Sequence, residues 1–303
     1  NKCDGLTLKG ITVYSDAYWN NDGIDIVDSK NVRVTDCNIN AADDGICIKT
    51  EDRKWHGVSE NIYIANCTVR SSASAVKIGT STMNDIRNVV IKNIKVYDTY
   101  RSAIAIEAMQ EGVVENIHVE NIKATNTGNA IFLRVGQIRG AKTEGVLKNV
   151  TIKNVTVRVP FERPDYDYII RGPELPFFHN VFPSSITGVP GNPIHNVTLE
   201  NIKIIYPGRG RRAYANMPIS RLEDVPEAVH KYPEFSMFGE LPAWSFYVRH
   251  VDGLTLKNVK IKIKDSDYRP AIVYDDVLNL EEIEVAILGD VKKVKIIYKD
   301  TVK

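Results

Sequence analysis

Apolar and polar positions repeat along this chain in one recognisable frame. Aligned under one another, GLTLKGITV from Gly5, NVRVTDCNI from Asn31, NIYIANCTV from Asn61 and NVVIKNIKV from Asn88 place apolar residues second, fourth, seventh and ninth. The series continues with NIHVENIKA from Asn116, NVTIKNVTV from Asn149, NVTLENIKI from Asn196 and GLTLKNVKI from Gly253. Successive starts lie 26, 30, 27, 28, 33, 47 and 57 residues apart, so the early repeats are tight and the later ones carry insertions. Alternation with period two predicts strand, and the change of phase between the fourth and seventh places predicts a corner. The sixth place reads Gly10, Asp36, Asn66, Asn93, Asn121, Asn154, Asn201 and Asn258. Asn tolerates tight-turn backbone, and its amide can bond the same amide one repeat away. One such unit cannot cover its own apolar face, so stacked repeats must supply the core. The pattern predicts an all-β fold, a right-handed parallel β-helix, as a single domain over residues 1–303. Insertions at about 160–193 and 206–242 hold most of the prolines, and loops of this kind build the end walls of grooves. A solenoid end needs a polar cap; the residues before Leu6 do not supply one, so the N-terminal cap is expected to be missing.

Composition narrows the field. With 39 Lys and Arg against 38 Asp and Glu, the formal charge is +1, which argues against a nucleic-acid or anionic-membrane partner. No apolar run is long enough for a membrane span, and no secretory segment opens the chain as given. Four cysteines, none in C-x-x-C spacing, are too few for a disulfide scaffold. Cys37 and Cys67 occupy the seventh place, where other repeats put Ile or Val, and read as core residues. The Asn-x-Thr triplets at Asn66, Asn149, Asn154 and Asn196 fall inside the repeat and read as its grammar, not as glycosylation sites. The 6 histidines are scattered without metal-ligand spacing, so neither metal nor cofactor is expected, and the chain is read as a monomer.

Each early repeat carries a further strand: DGIDI at 22–26, DGICI at 44–48, SAVKI at 74–78, SAIAI at 102–106 and NAIFL at 129–133. Aligned on their apolar residues, one column contains Asp22, Asp44, Ser74, Ser102 and Asn129. The first outward column contains Asp25, Cys47, Lys77, Ala105 and Phe132, and the next Val27, Lys49, Gly79, Glu107 and Arg134. Adjacent rungs stack at about 4.8 Å. Asp22 and Asp44 therefore meet at one strand entrance, with Asp43 beside them. Carboxylates so close repel, which raises one pKa and leaves another group ionised, the condition an acid and base pair needs.

NNDGIDI, followed 21 residues later by ADDGICI (Asp22 to Asp43), resembles the polygalacturonase-type glycoside hydrolases, family 28. PSSITG at 183–188, YPE at 232–234, MFG at 237–239 and LPAWSFYVRHV at 241–251 are similar to the bacterial branch of that family. The resemblance implies an inverting hydrolase acting on pectin-type poly- or oligosaccharide, located outside the cytoplasm. It makes Asp43 the general acid, with Asp22 and Asp44 holding and deprotonating the attacking water.

The same resemblance exposes departures. Ser74 stands where the family has a histidine, while Ala105 and Glu107 stand where it has the Arg and Lys that grip a uronate carboxylate. Altered specificity at the cleavage subsite is the expectation, with Lys77 the leading replacement and Lys49, Arg134, Ser74 and Glu107 as further substrate contacts; Arg101 flanks the same surface. Calcium held by the three aspartates in a polysaccharide lyase, and a non-catalytic carbohydrate-binding solenoid, are the competing readings. His250 reads as a packing residue, and the insertion around His56 as a wall of the cleft. Trp55, Phe132, Tyr166, Phe177, Phe178 and Trp244 are aromatics that either stack on sugar or anchor core and loops.

Overall fold

The computed structural model describes residues 1–165, 167–168, 180, 182–212, 220–289 and 295–303. Tyr166, Phe177 and Phe178 lie outside the described residues. Three short strands form each early coil: β1 (Thr7–Lys9), β2 (Thr12–Ser15) and β3 (Ile24–Val27), then β4 (Val32–Thr35), β5 (Asn38–Ala41) and β6 (Ile46–Thr50), then β7 (Ser59–Ala65), β8 (Thr68–Ser71) and β9 (Val76–Thr82). Longer strands follow: β10 (Ile86–Ala108), β11 (Val113–Val135), β12 (Val146–Arg158), β13 (Ser184–Thr187), β14 (Ile194–Tyr206), β15 (Phe246–Ile263), β16 (Ile272–Leu288) and β17 (Ile296–Thr301). A short 3₁₀ turn spans Leu222–Asp224.

All strand pairs are parallel, and each joins one repeat to the next. β1 pairs β4, β4 pairs β7, and β7 pairs β10; β3, β6, β9 and β10 form a second such series. Leu8 faces Val34, Val34 faces Ile64, and Ile64 faces Ile91, so the fourth-place column stacks on itself. These columns form one core, from Ile24 to Leu280, with Leu6 and Leu8 packed against its end. Each fully buried aliphatic side chain contributes roughly 1.5–3 kcal/mol, and only stacking buries it. Cys37 and Cys67 belong to this core as free thiols.

Corners are held by two asparagine ladders. In the sixth-place column, the Asn93 amide donates to Asn66 at 2.9 Å, Asn121 to Asn93 at 3.0 Å and Asn258 to Asn201 at 2.7 Å. A second ladder runs through the repeat starts: Asn61 donates to Asn31 at 3.0 Å, Asn149 to Asn116 at 3.2 Å and Asn196 to Asn149 at 3.0 Å. These residues all have φ between 49° and 57°, a left-handed backbone that Asn accepts more readily than other side chains.

A second, smaller apolar cluster lies outside the coil. Ala105, Phe132, Tyr247 and Val273, linked by strand register through Ser185, are covered by Leu222, Val225, Phe235, Met237, Phe238 and Leu241. The later insertion thus folds back as a roof over the outer face of β10, β11, β15 and β16. Phe132 is an anchor for this roof, and Trp244 packs in the main core edge-on to Tyr206.

Candidate active site

Strand register carries the acids to one place. β3 pairs β6 with Ile24 opposite Ile46, and the Gly23 amide donates to the Asp44 carbonyl at 2.9 Å, so Asp22 heads the rung beside Asp44. The Asp43 amide donates to the Asn21 carbonyl at 3.1 Å, which ties the two turns together. A cleft of about 800 Å³ opens here, lined by acidic Asp22, Asp25, Asp43, Asp44 and Glu51 and basic Lys49, Lys77, Arg101 and Arg139, with Thr80, Ser81 and Tyr232.

The three aspartates differ in their partners. Lys49 Nζ lies 2.6 Å from Asp22 Oδ2 and 2.8 Å from Asp25 Oδ2. Lys77 Nζ lies 3.0 Å from Asp44 Oδ2, and Asp44 Oδ1 accepts the Ser74 backbone N–H at 3.0 Å. Asp43 has no cation within ion-pair distance among the described residues; its Oδ1 accepts the Asp44 N–H at 2.9 Å. Burial works against the Asp44 charge, but Lys77 and Arg101 outweigh it and hold this carboxyl below the usual range. Burial and the Asp44 charge push Asp43 up. Burial also pushes Asp22 up to about 7, with Asp44 adding to the rise and Lys49 opposing it. The site thus holds one carboxylate biased to ionise and two biased to keep a proton.

Lys77 is committed on both sides. It is 2% exposed, and its second neighbour, Glu107 Oε2, lies 3.6 Å away. Glu107 is 1% exposed, accepts the Thr80 hydroxyl at 2.9 Å, and is pushed by burial up to about 7. It lies beneath the cleft wall, not in it, which corrects the expectation that it faces the sugar. The cause is a bulge: Ile48 pairs Ile78 but Thr50 pairs Thr82, so β9 carries two more residues than β6 over this stretch. The extra backbone brings Thr80 and Ser81 into the cleft and lays Gly79 on Glu107, where a Cβ would come within 2.6 Å of the Glu107 carbonyl oxygen. With φ +101, that position suits glycine alone.

Other expected contacts are distributed unevenly. Lys49 and Lys77 line the cleft; Ser74 serves through its backbone N–H; Arg134 does not reach it. Arg134 is 1% exposed, donates to the carbonyls of Gly188 and Glu227, and faces the Phe238 ring. It pins the roof. His250 also ties the roof down, bonding Asp276 at 2.6 Å and Glu227 at 3.2 Å, and of the insertion near His56 only Glu51 lines the cleft. Tyr232 and Arg139 are among the lining residues that sequence reasoning missed. Tyr232 arrives from 155 residues downstream of Lys77, its hydroxyl 3.4 Å from that ammonium; the YPE stretch was its signal. Arg139 comes from the turn after β11, donates to Ser81 Oγ at 3.0 Å, and carried no signal. No group of three His, Cys, Asp or Glu side chains converges as metal ligands among the described residues.

Comparison with known proteins bears on the same residues. A polygalacturonase from Juniperus ashei is 25% identical over 167 residues, 51% of this chain and 31% of that relative. A hyperthermoactive exopolygalacturonase from Thermotoga maritima, known from its crystal structure, aligns with 98% of this chain and 48% of its own at 15% identity and a TM-score of 0.36. The chain therefore spans less than half the length of either. Residues 1–159, which hold the three aspartates and every described cleft residue but Tyr232, match Glycosyl hydrolases family 28, and the chain belongs to that family.

Proposed function

We propose that this protein is an inverting glycoside hydrolase that cleaves pectin-type polysaccharide or oligosaccharide. The observation that carries the reading is the unequal pairing of the aspartates: Asp22 and Asp44 each have a lysine, and Asp43 has none among the described residues. Burial and the neighbouring Asp44 charge favour the protonated form of Asp43, and no ion pair ties up its carboxyl, so Asp43 protonates the glycosidic oxygen as the bond breaks. Asp44, kept ionised by Lys77, takes the proton of a water that it holds together with Asp22; attack from the opposite face inverts the anomeric centre. Lys77 supplies beside Asp44 the positive charge that the family's missing histidine does not. A calcium-dependent lyase is less well supported, because a cation bridging the aspartates must displace the ammonium groups of Lys49 and Lys77. The family reading also brings a right-handed coil and an extracytoplasmic location.

The test is a reducing-end screen on homogalacturonan, rhamnogalacturonan and neutral glycans, with NMR of the first-formed anomer. The expected result is release from a pectic substrate with inverted configuration, optimal at acidic pH. Activity should fall at low pH as Asp44 gains a proton, and at high pH as Asp43 loses its own. Retained configuration, or an ultraviolet-absorbing unsaturated product abolished by chelation, would overturn the proposal.

A further inference from the structure

We propose that Arg139 is the specificity-determining residue of an acidic-sugar subsite, where its guanidinium holds the carboxylate of a uronate unit beside the cleavage point. The assignment rests on the hydrolase reading above. The family's own clamp position is closed: Ala105 is buried under the roof, and Glu107 lies beneath Lys77. The positive charge that meets the substrate must come from elsewhere in the cleft wall.

Four cations line that wall among the described residues. Lys49 is held by two carboxylates and Lys77 by two. Arg101 is 4% exposed, with Glu234, Tyr232, Asp44 and Asp43 acting on its charge. Arg139 differs from all of these. It is exposed, and no carboxylate among the described residues pairs with it. Among the described residues its guanidinium contacts the Ser81 hydroxyl and the Tyr232 ring, 6.0 Å from the ring centroid. One of its five N–H groups is engaged by Ser81, so the rest of a planar fork remains for two carboxylate oxygens.

The turn that carries Arg139 is held on both sides. Ile138 N donates to the Met109 carbonyl at 3.0 Å, and Gln137 N to the Val229 carbonyl at 2.8 Å. Arg53 reaches the Gly140 carbonyl at 3.0 Å, and Lys142 N donates to Glu111 at 2.8 Å. These bonds hold the turn's backbone, which lowers the ordering cost of anion recognition by an otherwise exposed side chain. Tyr232, 42% exposed, stands beside the guanidinium, with the ammonium of Lys77 5.5 Å from its ring. An anionic sugar seated there meets one uncommitted charge and one aromatic face, whereas a neutral sugar leaves that charge unanswered.

Arg139 has φ +52, so Asn, which tolerates this backbone, is a better probe than Ala. Wild type, Arg139→Asn and Arg139→Lys should be compared on an oligogalacturonide and on its fully methyl-esterified form. We expect Arg139→Asn to lower kcat/KM on the acid by about 10- to 100-fold, in line with a charge-assisted hydrogen bond, and to leave the ester nearly unchanged. Arg139→Lys should recover part of the loss. If the acid-to-ester preference of Arg139→Asn equals that of wild type, the assignment is overturned while the hydrolase reading stands. Binding of both oligosaccharides to Asp43→Asn protein, measured by calorimetry, separates the two levels. If wild type cleaves neither and Asp43→Asn binds neither, the hydrolase reading fails and takes the subsite with it.

Discussion

The outward column that begins at Asp25, Cys47 and Lys77 continues through Ala105, Phe132, Tyr247 and Val273, yet its two halves meet opposite surroundings. On β3, β6 and β9 the column and its flanks line an open, charged cleft. On β10, β11, β15 and β16 the same face is dry, covered by the side chains of residues 222–243. Parallel pairing and an aliphatic inner core run through both halves, whatever the local bulges. What separates a site from a packed wall is the chemistry of one column and the loop that answers it: charged residues keep the face open to water, and apolar ones draw a loop down upon it.

The comparison can be broken in four places. The strongest effect belongs to the open half: Asp43→Asn should lower hydrolysis by about 10²–10⁴ without shifting the thermal midpoint, since an amide keeps the shape but cannot donate the proton. Next comes Lys77→Met, which leaves Asp44 and Glu107 buried without their shared cation and should cost roughly 3–5 kcal/mol in urea unfolding. In the protein that still folds, Asp44 loses the charge that holds its pKa down, so the acid limb of the pH–rate profile should move to higher pH. Adding Glu107→Gln should restore part of the stability. In the dry half, Phe132→Ala should cost about 3 kcal/mol by opening a cavity under the roof. KM should rise with it, through Tyr232, while an unchanged KM would show that roof and cleft are independent. The smallest effect is common to both halves: Asn121→Ala should cost about 1 kcal/mol and Asn121→Gly less, because glycine tolerates the φ of 57°.

Sequence reading reached what is periodic and missed what is not. The fourth-place column, the sixth-place ladder and the meeting of Asp22, Asp43 and Asp44 all follow from period and register, and each was legible. Only one of the two ladders was read, although Asn31, Asn61, Asn116, Asn149 and Asn196 stood in plain alignment. Glu107 and Arg134 were placed in the cleft because alternate residues of a strand were taken to face solvent. The bulge at residues 79–81 and the roof put them inside instead. The roof had a trace in sequence: Phe235, Met237, Phe238 and Leu241 crowd an insertion that otherwise looks polar, and such a run must find something to cover. Arg139 had none, because an arginine in a turn owes its place to the fold around it.

The reach of Tyr232 to Lys77 matters for how the molecule comes apart. Stacked coils touch mainly their immediate neighbours, and a one-dimensional stack of that kind frays from its ends in steps. The segment carrying Tyr232 leaves the chain just before β15, is pinned by Arg134 and Arg249, and returns to β9 across the coils of β10, β11 and β13. It acts as a staple that joins rungs otherwise unaware of each other. Melting of the later coils should therefore empty the early cleft of its tyrosine at the same moment, so that loss of activity and loss of sheet signal follow one curve. With the staple cut by Arg134→Ala and Arg249→Ala together, the two curves should part, activity failing first.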